Sequence, residues 1–228
     1  MPCSHRARIA TSCSAPSPRS SFTALPDHRG APFERVLAGE LPTETRALAR
    51  ALIGCTLVRC DDDGLVAGRI VETEAYPPGD PASHAYIGER PRTAAMFGPP
   101  LHAYIYRIYG MYWCFNVSSE PSGIGAGVLV RALEPLIGIE LMRSRARGAA
   151  LRDLCRGPGR LARALALDGS LDGRALLADG ELLLARPTAP PPRIGTSPRI
   201  GIRHAPERRL RYYARGCAYV SGPRSLSQ

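Results

Sequence analysis

Apolar residues recur at helical spacing in 43–53: Leu48, Leu52 and Ile53 share a stripe, Thr43 can cap the start, and Gly54 ends it. The pattern then switches to alternation. Residues 56–59 and 65–75 read as strands around the polar turn Asp61-Asp-Asp-Gly64. Glycine and proline clusters break any period over 77–100, which predicts a long loop of the kind that carries function. The stretch 103–118 is strand-like on both sides of Gly110 and predicts a hairpin with its tip at Tyr109-Gly110-Met111. Residues 127–132 read as a strand and 134–147 as a helix whose closing arginines suit a C-terminal end. Gly157-Pro158 opens another helix. A proline-rich loop over 187–198 and further strands over 199–218 complete the chain. The order is mixed rather than a regular β-α repeat, which predicts an α+β fold.

Composition adds boundaries. The chain has 228 residues, 44 % of them hydrophobic, enough for one cored domain, expected over 32–222. Residues 1–31 are rich in Ser, Pro, Arg and Ala with one acid, Asp27; a disordered tail is expected there in preference to a transit peptide, with a short tail at 223–228. No run of 18 apolar residues predicts a membrane span. Seven cysteines without C-x-x-C, and five histidines without H-E-x-x-H, predict no metal site and no disulfide framework, in keeping with a reducing, cytoplasmic setting.

The net charge of +10 and the pI near 9.7 favour a polyanionic partner such as nucleic acid. All 30 basic residues are arginine, so no side chain can form a lysine Schiff base. Glycosidic chemistry would then use water as nucleophile, unless the N-terminal amine served.

Three constellations carry candidate chemistry. In Arg69-Ile-Val-Glu-Thr-Glu-Ala-Tyr76, strand alternation puts Glu72, Glu74 and Tyr76 on one face. A carboxylate in a pocket with an orienting partner can deprotonate water; periodicity does not choose between Glu72 and Glu74, and a solvated strand face would show the same pattern. Tyr104, Tyr106, Tyr109 and Tyr112 crowd beside the only tryptophan, Trp113, suiting base stacking and groove wedging, although some of these rings must pack the core. Arg131 ends the apolar run Gly127-Val-Leu-Val, where a charge needs a carboxylate partner. Gly123-Ile-Gly-Ala-Gly127 and Gly157-Pro-Gly159 lack the spacing of nucleotide-binding loops.

Six segments in order resemble the alkyladenine (3-methyladenine) DNA glycosylase family, the mammalian-type fold also found in bacteria. They are RIVETEAY at 69–76, ASH at 82–84, YIYRIYGMYWCFN at 104–116, VLVRALEP at 128–135, LCRGPGRL at 154–161 and PRIGI at 198–202. The resemblance implies a single mixed domain with a curved antiparallel sheet, surrounding helices and a DNA-inserting β-hairpin. It implies that Glu74 is the general base, with Arg131 and the main chain near Ile202 positioning the water. Tyr76, His84 and Tyr106 match the walls that sandwich a flipped base. Asn116 matches the residue that rejects guanine, and Tyr109 matches the wedge, flanked by Met111 and Tyr112. The loop between Tyr76 and His84 is one residue shorter than in the mammalian form, and 136–156 is also shorter, which puts the position of His84 in question.

The implied activity is that of a cofactor-free, monomeric, monofunctional glycosylase acting on double-stranded DNA that contains alkylated bases. An N3- or N7-alkylated purine is cationic and leaves readily, so one carboxylate suffices where ordinary glycosidases need two. Arginines along 199–215 would hold phosphates if they shared that face. The alternatives are a catalytically silent DNA-binding protein on the same fold and a bifunctional glycosylase-lyase, the latter disfavoured by the absence of lysine.

Overall fold

The computed structural model describes residues 33–222; the expected tails at 1–31 and 223–228 lie outside the described residues. One antiparallel sheet organises the chain. It is built from β1 (Thr56–Asp61), β2 (Gly64–Tyr76), β3 (Ala103–Ile108), β4 (Tyr112–Ser118), β5 (Gly127–Ile137), β6 (Leu182–Ala185), β7 (Ile194–Ser197) and β8 (Arg211–Ala214). The path runs β3-β4-β5-β2-β1-β6, and β8 joins β2 to β7. The sheet curls into a half-barrel with helices around it, the α+β arrangement expected. The helices are α1 (Thr45–Ala51), α2 (Ala94–Phe97), α3 (Ile139–Arg145) and α4 (Pro158–Ala164).

β2 is the axis. From Ala67 to Tyr76 it pairs with β5, while its other edge is shared, β1 taking the first half and β8 pairing with Glu72, Thr73 and Glu74. Register shifts against β5 fall between Ala67 and Gly68 and again between Ile70 and Thr73. Such a bulge bends the strand and re-aims the side chains that follow, here at the two glutamates. Val71, Thr73 and Ala75 turn to the core side: Val71 and Ala75 join the main apolar cluster, and Thr73 Oγ1 donates to the Ala49 carbonyl of α1 at 2.7 Å.

Local departures have physical causes. Glu44, not Thr43, caps α1, accepting from the N–H groups of Arg46 and Ala47; the Thr43 carbonyl instead accepts from Glu120 N–H. The helix expected over 134–147 begins only at Ile139. Its first third continues β5, because Pro135 and Ile137 stay paired with Gly68 and Ala67, and Glu134 is held by Arg69 at 2.9 Å. Pro135 is tolerated because β4 pairs with β5 only at 127–129, leaving that edge without a ladder to satisfy. Gly138, at φ 72°, makes the turn into α3; a Cβ there would lie 2.4 Å from the Leu65 carbonyl oxygen. The loop 77–100 holds two 3-10 turns, His84–Ile87 and Pro91–Thr93, and α2. β6, unanticipated from the sequence, pairs with β1.

Candidate active site

In an antiparallel ladder, directly opposed residues project from the same face. Glu74 opposes Leu129, Leu129 opposes Asn116, and Asn116 opposes Tyr104, so one rung crosses β2, β5, β4 and β3. Two residues along, Tyr76, Tyr106 and Cys114 join that face. Over this patch opens a cavity of about 590 Å³, bordered by Tyr76, His84, Tyr106, Asn116, Leu129 and Arg131. Phe115, Val117, Val128 and Val130, of opposite parity, fill the core behind it. Period-two alternation thus builds the cavity floor and the core from the same strands.

Glu74 lies fully buried beneath the cavity wall. Its Oε1 accepts from Ile200 N–H at 2.8 Å and sits 3.3 Å from Arg131 Nη1; its Oε2 accepts from the Tyr76 hydroxyl at 2.9 Å. All three partners border the cavity. The main-chain contact expected near Ile202 is made two residues earlier, by Ile200; Ile202 borders the cavity.

Glu72 has a different environment. Its oxygens accept from Arg211 Nε at 2.6 Å, Arg131 Nε at 3.2 Å, Ser221 N–H at 2.7 Å and Ser221 Oγ at 2.9 Å. Oε1 takes three of these contacts and Oε2 one, and of the three donor residues only Arg131 borders the cavity, whereas all three partners of Glu74 do. Arg131 bridges the two glutamates. Burial works against its charge, but Glu74 and Glu72 more than offset this and hold the guanidinium pKa above its ordinary value.

The aromatic walls are positioned from two directions. Tyr76 and Tyr106 come from the sheet, and burial pushes both hydroxyls well above the usual tyrosine range, so they remain neutral donors. His84 arrives from the loop, at the start of a turn capped by the Ser83 hydroxyl. Although that loop is short, it delivers His84 into the cavity. The ring stands edge-on to Tyr106 at 4.4 Å, and Nδ1 lies 2.9 Å from the Tyr104 hydroxyl. Burial, with Arg92 nearby, lowers the His84 pKa below 6.5; Tyr104 is pushed up to about 12 by its own burial. Asn116 Nδ2 donates to the Tyr104 carbonyl at 3.0 Å, which fixes the amide in the floor.

At the hairpin tip Tyr109 (φ 52°) and Gly110 (φ 67°) are both left-handed, and Met111 N–H closes the turn on the Ile108 carbonyl. Two left-handed central residues match the twist of a hairpin, but a bulky side chain there is strained and points to function rather than folding. Tyr109 is 82 % exposed at the cavity rim, and Met111 is 68 % exposed. Tyr112 leans the other way, onto Gly159 of α4, with Arg163 over its ring at 5.8 Å. Trp113 packs against Gly169 beneath Arg107, outside the cavity.

Sequence reasoning placed Tyr104 among the stacking rings without its contact to His84, and missed Asp80, Ser221 and the anchoring role of Arg211. It also grouped Arg199 and Arg211 with arginines able to hold phosphates. Both are buried in ion pairs, with Asp80 and Glu72 respectively, whereas Arg203, Arg208, Arg209 and Arg215 are exposed.

A cavity of this size walled by aromatic rings, with a buried carboxylate and its arginine behind one wall, is an arrangement able to hold a planar ring beside a general base. The comparisons with known proteins agree. The family model for methylpurine-DNA glycosylase matches residues 40–218. A protein of Mesorhizobium japonicum is 53 % identical over 200 residues, 88 % of this chain and 96 % of its own length. One from Paraburkholderia phytofirmans is 44 % identical over 198 residues (86 % and 92 %), and one from Methanoculleus marisnigri 44 % over 182 (78 % and 94 %). The assigned names of all three end in 3-methyladenine DNA glycosylase. The chain belongs to the methylpurine-DNA glycosylase family and is a DNA glycosylase.

Proposed function

We propose that the chain excises N3- and N7-alkylated purines, of the 3-methyladenine and 7-methylguanine type, from double-stranded DNA by base flipping and hydrolysis, leaving an abasic site. It acts as a monomer, without a cofactor, in the cytoplasm. The observation that carries this reading is the environment of Glu74: a buried carboxylate held by Arg131 and Ile200 N–H, with the Tyr76 hydroxyl between it and an aromatic cavity. Water entering beside that hydroxyl gives its proton to Glu74 as its oxygen closes on C1′, and the purine leaves with the electron pair of the broken C1′–N bond. Loss of the positive charge on the alkylated ring drives departure, so no acid on the base is required. Glu74 also stabilises the cationic sugar of the transition state.

Tyr76, His84 and Tyr106 receive the flipped base, their electron-rich faces favouring a cationic ring, while Asn116 crowds the 2-amino group of guanine. Tyr109, with Met111 beside it, fills the gap left in the duplex, while Tyr112, packed on α4, braces the hairpin. A duplex carrying one 7-methylguanine tests the reading. Incubation should release free 7-methylguanine above an enzyme-free control and leave an unbroken abasic strand, with no borohydride-trapped adduct. No release above that control, with duplex binding preserved, would favour the silent binder, and a trapped adduct the lyase.

Two further outcomes follow. Tyr109→Gly removes the wedge and relieves the left-handed strain of a non-glycine residue, about 1 kcal/mol; the thermal midpoint should hold or rise while base release falls at least tenfold. His84 is neutral at pH 7 because its pKa lies below 6.5. As pH falls through that lowered value the ring gains charge, so affinity for a duplex with a cationic lesion should fall. His84→Gln should flatten this limb, as read by anisotropy across pH.

A further inference from the structure

Behind Tyr76 lies a second buried ion pair with no assigned role in the chemistry above. Arg199 and Asp80 each have fully buried side chains and meet at 2.8 and 3.0 Å through two guanidinium nitrogens. The Arg199 guanidinium sits 4.6 Å from the centre of the Tyr76 ring, and its Nη1 donates to the Ala75 carbonyl at 3.0 Å. Tyr76 borders the cavity and Arg199 does not, so the guanidinium covers the ring face turned away from the cavity. Asp80 Oδ1 also accepts from Ala82 N–H at 2.9 Å, fixing the carboxylate between β2 and His84.

The buried charges around Tyr76 balance, and one half-exposed arginine, Arg208, also approaches Asp80, at 3.8 Å. Glu72, Glu74 and Asp80 face Arg131, Arg199 and Arg211 in the ion pairs Glu72–Arg131, Glu72–Arg211, Glu74–Arg131 and Asp80–Arg199, all six residues buried. A bare guanidinium behind Tyr76 would repel a cationic purine stacked in front of it. We infer that Asp80 is a specificity-determining residue: by neutralising Arg199 it lets Tyr76 be buttressed by a guanidinium and still present an attractive face to a cationic base. This rests on the proposed stacking of the flipped base on Tyr76. A purine on that face lies roughly 8 Å from the guanidinium, so an uncompensated unit charge at an effective dielectric near 20 weakens cationic binding about ten- to thirtyfold. A neutral base of the same shape is spared.

The test uses two duplexes of one sequence, both 2′-fluorinated at the lesion so that the bond resists cleavage. One carries 7-methylguanine, which is cationic; the other carries 7-methyl-7-deazaguanine, its neutral isostere. Affinities are measured for wild type, Asp80→Asn, Arg199→Gln and the double variant. Wild type should favour the cationic duplex. Asp80→Asn should cut the cationic-to-neutral ratio at least tenfold, Arg199→Gln should raise it, and the double variant should restore it. If Asp80→Asn fails to fold, the rise in Arg199→Gln and the wild-type-like ratio of the double variant carry the test. Equal weakening of both duplexes in the single variants, or an unchanged ratio, would reduce the pair to a structural brace and overturn the inference. Absence of any wild-type preference for either lesion over undamaged DNA would instead overturn the stacking reading on which it rests.

Discussion

Glu72→Gln should lower stability by about 3–5 kcal/mol, the usual cost of breaking a buried ion pair from one side. For a domain of this size that is a fall in thermal midpoint of about 6–20 °C. The substitution keeps the side chain's shape, so no cavity contributes. What is lost is charge. Arg211 has only 2 % side-chain exposure and meets Glu72 at 2.6 Å, and Ser221 gives Glu72 two further hydrogen bonds. Those bonds tie the end of the described chain to the middle of β2, so the loss should be felt across the sheet. Calorimetry checks it, and a midpoint within about 2 °C of wild type would show that Glu72 is not the anchor.

Glu74→Gln, two residues along the same face, should behave in the opposite way. Arg131 keeps Glu72 as a partner, and the glutamine oxygen can still accept from Ile200 N–H, so the stability loss should stay near about 1–2 kcal/mol. Activity should fall at least about 10³-fold, since general-base action alone supplies about 10²–10⁴ and the charge facing the cationic sugar is lost as well. Affinity for lesion-bearing duplex should remain, because the stacking walls and the hairpin are untouched. Single-turnover release and duplex titration separate the two effects.

The contrast shows what the sequence could carry. Alternation along 69–76 put both glutamates on one face, and the ladder bears this out, but alternation is blind to what lies opposite. Arg211 and Ser221, which hold Glu72, arrive 139 and 149 residues later. The Tyr-rich hairpin was legible because Gly110 interrupts a strand pattern at its tip. The role of Tyr104 was not, because its partner His84 reaches it from a loop without periodicity. The helix misread over 134–137 has a similar origin. An apolar pattern there fits helix or strand, and only pairing with β2 through Gly68 settles it. Arg199 looked like one more surface arginine in a basic stretch; the buried Asp80 that claims it comes from a loop 119 residues earlier.

The most direct measurement is release of free bases from randomly methylated duplex DNA, resolved by chromatography, with wild type beside Glu74→Gln at matched duplex occupancy. The account predicts 3-methyladenine and 7-methylguanine from wild type and neither from the variant. Release undiminished in Glu74→Gln, or absent from wild type that still binds the duplex, would contradict it.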